Sequence, residues 1–151
     1  MSGIAENPIL PLDHLALRGA DDAPALVLRG ETLDYKALRS RVSRLAAWLA
    51  QEIPEKGARV ATWAAKGELT CLMPLAAARA GLIHVPINPL LKHAQVAYIL
   101  ADSGAVMLIG TPARLATLDE GDVPDSCQRF EEGAALAAAQ ALGLSLIHIS
   151  E

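Results

Sequence analysis

The sequence predicts an α/β fold with a partial, largely parallel sheet that is flanked by helices. Three short apolar segments, 59–63, 82–87 and 105–109, have the length of strands, and the helical segments 68–80 and 93–102 separate them. Strands that alternate with helices in this way are typical of a parallel sheet with right-handed crossovers. Segment 105–109 is almost entirely apolar, which indicates a strand buried on both faces.

Composition supports one globular domain and excludes several classes of partner. The chain has 151 residues, of which 52% are hydrophobic and 20% charged, so it can build a real core. A formal net charge of −4 offers no basic surface for nucleic acid or for an anionic membrane. The longest apolar stretch, near 69–78, is about half of the roughly 20 residues that a membrane span needs.

The N-terminus and the two cysteines predict a cytoplasmic protein. Residues 1–12 contain no lysine or arginine and no sustained apolar run, so they do not resemble a secretory signal. Cys71 and Cys127 are too far apart for a CxxC redox motif or a metal knuckle. We therefore expect both cysteines to be reduced thiols and the chain to bind no metal.

The first quarter of the chain predicts a short helix followed by a hairpin. The helix covers 12–17, and a turn at 21–24 leads into an apolar strand at 25–28. A tight turn at 29–31 then reverses the chain into a second strand at 32–33.

A long amphipathic helix follows, with Asp34 placed to cap its free N–H groups. Its apolar stripe has the spacing i, i+4, i+7 and i+11 and consists of Leu38, Val42, Leu45 and Leu49. Arginines at 39, 41 and 44 lie on the other faces, where we expect a solvated surface; a nucleotide-binding role is the alternative. Pro54 and Gly57 end the helix.

The next unit is a helix, a tight stop and a short strand. Pro74 lies inside helix 68–80, removes one backbone hydrogen bond and is expected to bend the axis. Gly81 is placed to end this helix in the left-handed conformation. Pro86 predicts that strand 82–87 lies at an edge or ends there, because proline has no N–H for a ladder bond. Asn88-Pro89 forms the following turn.

The remaining elements continue the alternation. Gly104 closes helix 93–102, and strand 105–109 follows. We expect a further helix over 111–118, a loop over 121–125 and an alanine-rich helix over 131–142.

Two segments resemble a known family. The run 78–89, ARAGLIHVPINP, resembles a signature of the AMP-forming acyl-CoA synthetases, which belong to the ANL adenylating superfamily. Its extension over 90–100 looks closest to bacterial acyl-CoA ligases, such as the group associated with exosortase systems. The earlier run 31–38, ETLDYKAL, resembles the family segment containing LTYxEL. Both occur in the family's order, and the resemblance spans about 13–115.

The resemblance implies a fold, a reaction and its partners. The chain is expected to be the N-terminal part of the large domain of an adenylating enzyme. The intact enzyme would join a small-molecule carboxylic acid to AMP with ATP and Mg²⁺, and then pass the acyl group to the thiol of CoA. An amino-acid adenylation domain that loads a carrier protein is the alternative within enzymes; Asn88, where those domains often have aspartate, favours the ligase. A complete, small, non-catalytic α/β binding domain is the alternative outside enzymes.

The chemistry that the family requires is not found in this sequence. Family members hold ATP with a Ser/Thr/Gly-rich loop of the type [ST]-G-T-T-G-x-P-K-G, and no such run occurs here. We therefore predict no catalytic, cofactor-binding or metal-binding residue in this chain, and an inactive fragment. Four side chains are candidates for a functional role. We expect His84 to be a packed or strand-edge residue instead of a base, His93 a surface residue and Cys71 a small buried hydrophobe. Lys66 lies in a strand-to-helix loop, where contact with substrate or nucleotide is only the alternative.

The last eight residues are expected to be foreign to the protein. Segment 144–151, LSLIHISE, resembles the translation of a transposase adapter used in sequencing libraries. On this interpretation residues 1–143 are a truncated AMP-binding domain, and the tail packs poorly. The alternative is a natural apolar strand at 144–151.

Overall fold

The computed structural model describes the backbone of residues 9–149 and the side chains of residues 9–142. A 3-10 helix at Leu12–Leu17 comes first. The strands are β1 Pro24–Leu28, β2 Glu31–Asp34, β3 Arg59–Trp63, β4 Ile83–Pro86, β5 Met107–Gly110 and β6 Gln128–Glu131. The helices are α1 Tyr35–Glu52, α2 Glu68–Arg79, α3 His93–Ser103, α4 Pro112–Leu115 and α5 Glu132–Ile149.

The main sheet is parallel, as predicted. Its strand order is β4-β3-β5-β6, and every neighbouring pair runs in the same direction. Strands β1 and β2 form a separate antiparallel hairpin. The predicted α/β class with a partial parallel sheet is therefore confirmed.

Side chains of β3 and β5 alternate between two cores, one on each face of the sheet. Val60, Met107 and Ile109 face the layer formed by α1, α2 and α5. Ala61, Trp63 and Leu108 face the opposite layer, which α3 covers with its buried Val96 and Leu100. All four residues of β5 are buried, as the apolar run predicts.

The predicted cap and stripe of α1 are confirmed. Asp34 Oδ1 accepts a hydrogen bond from the backbone N–H of Ala37 at 2.8 Å. Leu38, Val42, Leu45 and Leu49 are all buried. Burial of this apolar stripe sets the orientation of α1, because the stripe packs in the same core as Val60.

The arginines of α1 correct the prediction of a simple solvated face. Arg39 pairs with Asp21. Arg41 bridges two elements, with Glu31 of β2 at 3.2 Å and Glu68 of α2 at 3.0 Å. Burial alone lowers the pKa of Arg41, but the two carboxylates outweigh it and the pKa is raised. These side chains fasten α1 to its neighbours.

Arg44, the third arginine of α1, lines a small cavity with Arg41 and Glu68. The cavity measures about 160 Å³ and lies between α1, α2 and α5. Arg44 Nε is buried without a hydrogen-bond partner in the described part of the chain. Among the described residues, no geometry around the three arginines identifies a nucleotide site.

Glycines end two helices as predicted. Gly81 follows α2 with φ +78°, and Gly104 follows α3 with φ +68°, both in the left-handed region that disfavours a Cβ. Strand β4 begins two residues after Gly81. Among the described strands it pairs only with β3, so it lies at the edge of the sheet. The predicted edge position of Pro86 is confirmed.

One strand and two helix boundaries differ from the prediction. The sequence did not predict strand β6, because Gln-Arg-Phe-Glu is polar and has no strand periodicity. Strand β5 supplies the hydrogen-bond partners of β6. The ring of Phe130 packs edge to face against Trp48, with 5.1 Å between the ring centroids. Helix α4 covers only Pro112–Leu115 of the predicted 111–118. Helix α5 continues beyond residue 142 to Ile149, so the backbone of 144–149 is helical and not a strand.

The expectation that the tail packs poorly concerns side chains of residues 144–151, which lie outside the described residues. Among the helices of residues 9–149, none combines the length and the apolar character that a membrane crossing requires.

Candidate functional site

The candidate site is a cavity at the carboxyl ends of β3 and β4, which we name the edge cavity. It measures about 680 Å³ and opens beside the outer strand β4. Helix α2, the two strand ends and the turn after β4 line it with Thr62, Ala64, Lys66, Thr70, Cys71, Pro74, His84, Pro86, Ile87, Asn88 and Pro89. Ligands of open α/β sheets bind outside the carboxyl ends of strands, so this is where a small molecule is expected.

A hydrogen bond between two strands joins two residues of the lining of the edge cavity. Thr62 Oγ1 and His84 Nε2 lie 2.8 Å apart, joining β3 to β4 across one face of the sheet. Thr62 is only 2% exposed, so the imidazole gives its hydroxyl the partner that a buried polar group requires. Burial lowers the pKa of His84 to about 4, and the side chain is therefore neutral at pH 7. The prediction of a packed, strand-edge histidine is confirmed.

The loop between β3 and α2 presents Lys66 at the rim. Thr70 Oγ1 accepts from the N–H of Gly67 at 2.9 Å and donates to the Gly67 carbonyl at 3.1 Å, which fixes the start of α2. Lys66 is exposed, and no salt bridge involves it in the described part of the chain. Its predicted place in a strand-to-helix loop is confirmed, and contact with substrate or nucleotide stays the alternative for this residue.

Cys71 corrects a prediction. It is only half-buried and lines the edge cavity, because the surface of α2 that carries it faces the groove beside β4 and not the core. Cys127 is the buried cysteine, and burial raises the pKa of its thiol to about 11 although Arg129 opposes the shift. Both thiols are free.

The turn after β4 is held by side-chain contacts. Asn88 Oδ1 accepts from the N–H of Leu90 at 2.9 Å, and Arg114 Nε donates to the Pro89 carbonyl at 3.0 Å. An aspartate carboxylate at position 88 can accept the same bond. The turn is therefore compatible with either residue, and its geometry does not separate ligases from adenylation domains.

The edge cavity does not suit Mg²⁺-ATP. Its lining contains no carboxylate to hold the metal, and one exposed lysine is its sole cation. The sequence also has no glycine-rich phosphate loop whose N–H groups converge on phosphate oxygens.

A second cluster of polar groups lies at the start of α3. His93 Nδ1 is 3.0 Å from Asp122 Oδ2 and 3.6 Å from Asp119 Oδ2. The N–H of Asp119 lowers the pKa of Asp122 most, and His93 lowers it further. His93 is thus a half-exposed residue that ties a loop to α3, close to its predicted surface position.

Sequence reasoning missed Thr62 and Thr70. A signal for Thr62 was present, since it is the polar residue inside an otherwise apolar strand interior. Nothing in the sequence joins it to His84, which follows 22 residues later.

Comparisons with known proteins agree with the fold. A family described as AMP-binding enzyme matches residues 13–144. L-proline–[L-prolyl-carrier protein] ligase of Pseudomonas fluorescens is 34% identical over 94 residues, which cover 62% of this chain and 19% of that protein. Long-chain-fatty-acid–CoA ligase of Yersinia pestis is 35% identical over 98 residues, covering 64% of this chain and 17% of that protein.

The solved structures include similar folds. The complex of VinN with 3-methylaspartate superimposes with a TM-score of 0.74 at 20% identity, covering 88% of this chain and 36% of that one. The chain spans between 7% and 21% of the length of the first curated relatives that it matches.

Proposed function

Because the chain belongs to the AMP-binding enzyme family of adenylate-forming proteins, we propose that it is the N-terminal part of an AMP-forming acyl-CoA ligase. The family match over residues 13–144 carries the proposal. The proposed enzyme activates a small-molecule carboxylic acid with ATP and Mg²⁺ and transfers the acyl group to CoA. The free thiols Cys71 and Cys127 agree with a cytoplasmic location.

The similarity to a long-chain-fatty-acid–CoA ligase supports CoA as the acceptor. In such a reaction AMP replaces oxide, which is a poor leaving group, on the carboxyl carbon of the acid. The thiol then attacks that carbon and AMP leaves. Hydrogen-bond donors and Mg²⁺ would stabilise the charge that develops on the phosphates.

A carrier-protein thiol is the second candidate acceptor. The similarity to the L-prolyl-carrier protein ligase, and 33% identity over 94 residues to surfactin synthase subunit 3 of Bacillus subtilis, favour it. Asn88, the residue that favours the ligase, makes a turn contact that aspartate can also make. The two acceptors are therefore separated by experiment.

The role proposed for this chain is structural. Its parallel strands β3, β4 and β5 would form the platform beside which a later phosphate loop is presented. We propose residues 1–143 as the native part of an AMP-binding domain and residues 144–151 as a foreign tail. On this proposal the 151-residue chain is inactive, because the groups that bind ATP are supplied by other sequence.

The test is acid-dependent exchange of pyrophosphate into ATP. It compares this chain with an extended protein, in which residues 1–143 are continued by the native genomic sequence in place of residues 144–151. We expect no exchange with the chain and measurable exchange with the extended protein. The added sequence should contain a Ser/Thr/Gly-rich run ending in Pro-Lys-Gly within a few tens of residues. Replacing its glycines with alanine should abolish exchange, because a Cβ holds the backbone donors away from the phosphates.

The acceptor is then identified by trapping. Formation of acyl-CoA from the extended protein, CoA and acid supports the ligase, whereas loading only of a carrier protein supports the second candidate. If the native sequence continues without a phosphate loop, the adenylation proposal fails and a small binding domain is favoured.

A further inference from the structure

We propose that the edge cavity is itself a binding site for an apolar carboxylic acid, with the carboxylate at Lys66. The inference does not rest on adenylation, since binding there requires neither ATP nor Mg²⁺. It assigns a ligand to residues of β3, β4 and α2 that the proposed reaction leaves unused.

The walls of the edge cavity select an apolar body. Its apolar lining residues include Ala64, Pro74, Pro86, Ile87 and Pro89. A volume of about 680 Å³ lies within the range of roughly 300–1,000 Å³ that small-molecule sites have. Such sites are mostly apolar and carry few polar groups that orient the ligand.

The charges select an anionic head group. Lys66 is the one cationic residue in the lining, which contains no carboxylate to compete for it. His84 does not add a second positive charge, because burial lowers its pKa to about 4. A single cation at an exposed rim matches one carboxylate, and it is too little charge for a triphosphate.

The polar side chains of Thr62, His84 and Thr70 are already hydrogen-bonded, so they require no charged partner. The Thr62 hydroxyl and the His84 imidazole bond to each other at 2.8 Å. Thr70 Oγ1 is engaged by Gly67. The apolar end of the ligand therefore lies inward and its carboxylate lies outward at the lysine.

The reactivity of the Cys71 thiol can be used to measure whether a ligand occupies the edge cavity. It lines the edge cavity and is half-buried, while Cys127 lies elsewhere with 6% exposure and a pKa raised to about 11. The experiment measures alkylation of both thiols by iodoacetamide in the 151-residue chain, using mass spectrometry. The probe is octanoate below its micellar range, and the matched neutral probe is octanamide.

We expect octanoate to slow alkylation of Cys71 several-fold and to leave Cys127 unchanged. Octanamide should require a concentration about two to five times higher for the same protection, since an exposed ion pair contributes modestly. Lys66→Met should remove this difference. Lys36→Met, an exposed lysine outside the cavity with the same change in net charge, should keep it.

Three results would overturn the inference. The first is no protection of Cys71 by octanoate, and the second is equal protection of both thiols. The third is a Cys71 thiol that iodoacetamide does not alkylate in the extended protein even without octanoate. In that case another segment of the enzyme fills the cavity. Pyrophosphate exchange by the extended protein is measured independently, so this inference and the adenylation proposal can fail separately.

Discussion

His84 is a basic side chain held where its charge is disfavoured. It faces the edge cavity from β4, and its hydrogen-bond partner Thr62 is almost fully buried. Burial lowers the pKa of the imidazole from 6.5 to about 4. The neutral ring joins the outer strand to β3 without bringing a charge into an apolar site.

The pH dependence of stability tests this environment. Because the pKa of His84 is lower in the folded state, the unfolded chain binds more protons between pH 6.5 and about 4. The contribution of the neutral ring is complete above pH 6.5 and is lost as the pH falls through that window. Allowing for solvent screening at this part-exposed site, we expect the native chain to lose about 1 kcal/mol more than His84→Gln between pH 7 and pH 5.

Urea unfolding at the two pH values measures this loss. The control variant His14→Gln lies in the 3-10 helix, outside the edge cavity, and should keep the native pH dependence. Equal pH dependence in the native chain and His84→Gln would refute the buried, neutral state.

At the scale of elements, helix α1 is placed by its cap and its stripe. Asp34 ends β2 and caps α1, so one residue joins the hairpin to the helix. Ion pairs from Arg41 to Glu31 and Glu68 then connect α1 to the hairpin and to α2. Since α2 begins at the rim of the edge cavity, these contacts help to fix its position.

Loss of the cap should weaken this element. Asp34→Ala removes the acceptor for the Ala37 N–H and should lower the free energy of unfolding by about 1 kcal/mol. Asp34→Asn keeps a side-chain oxygen and should remain close to the native value. Chemical denaturation of the three proteins measures the difference, and equal stabilities of Asp34→Ala and Asp34→Asn would contradict the role of the cap.

At the scale of the molecule, the sheet has two edges that no described strand covers. The outer strand β4 exposes Ile83 at 48%, although Pro86 leaves one ladder donor missing there. At the other edge β6 carries Gln128, Arg129 and Glu131, whose polarity opposes strand addition. Association of the chain is therefore expected mainly through β4.

We predict concentration-dependent self-association of the isolated chain in sedimentation experiments. Ile83→Lys should reduce it by placing a charge on the strand edge. Leu90→Lys is the matched control, because Leu90 is 80% exposed but follows β4 in a turn. A monodisperse monomer with a cooperative melt at ~45–65 °C would contradict this prediction, and equal relief by both variants would assign association to exposed apolar area instead of the edge.

The sequence alone determined the features that depend on local chemistry. The stripe from Leu38 to Leu49, the Asp34 cap, the glycine stops at Gly81 and Gly104 and the edge position of Pro86 all follow from side-chain spacing and backbone freedom. Repeated alternation of strand and helix was enough to predict the parallel sheet. The ordered motifs at 31–38 and 78–89 were enough to predict the family.

Tertiary structure decided what depends on partners distant along the chain. Strand β6 forms because β5 offers its backbone, which no property of Gln-Arg-Phe-Glu reveals. Thr62 meets His84, and Cys71 faces a cavity, only once β3, α2 and β4 are packed together. Hydrogen bonds and burial between such residues depend on three-dimensional distance, so spacing along the sequence cannot predict them.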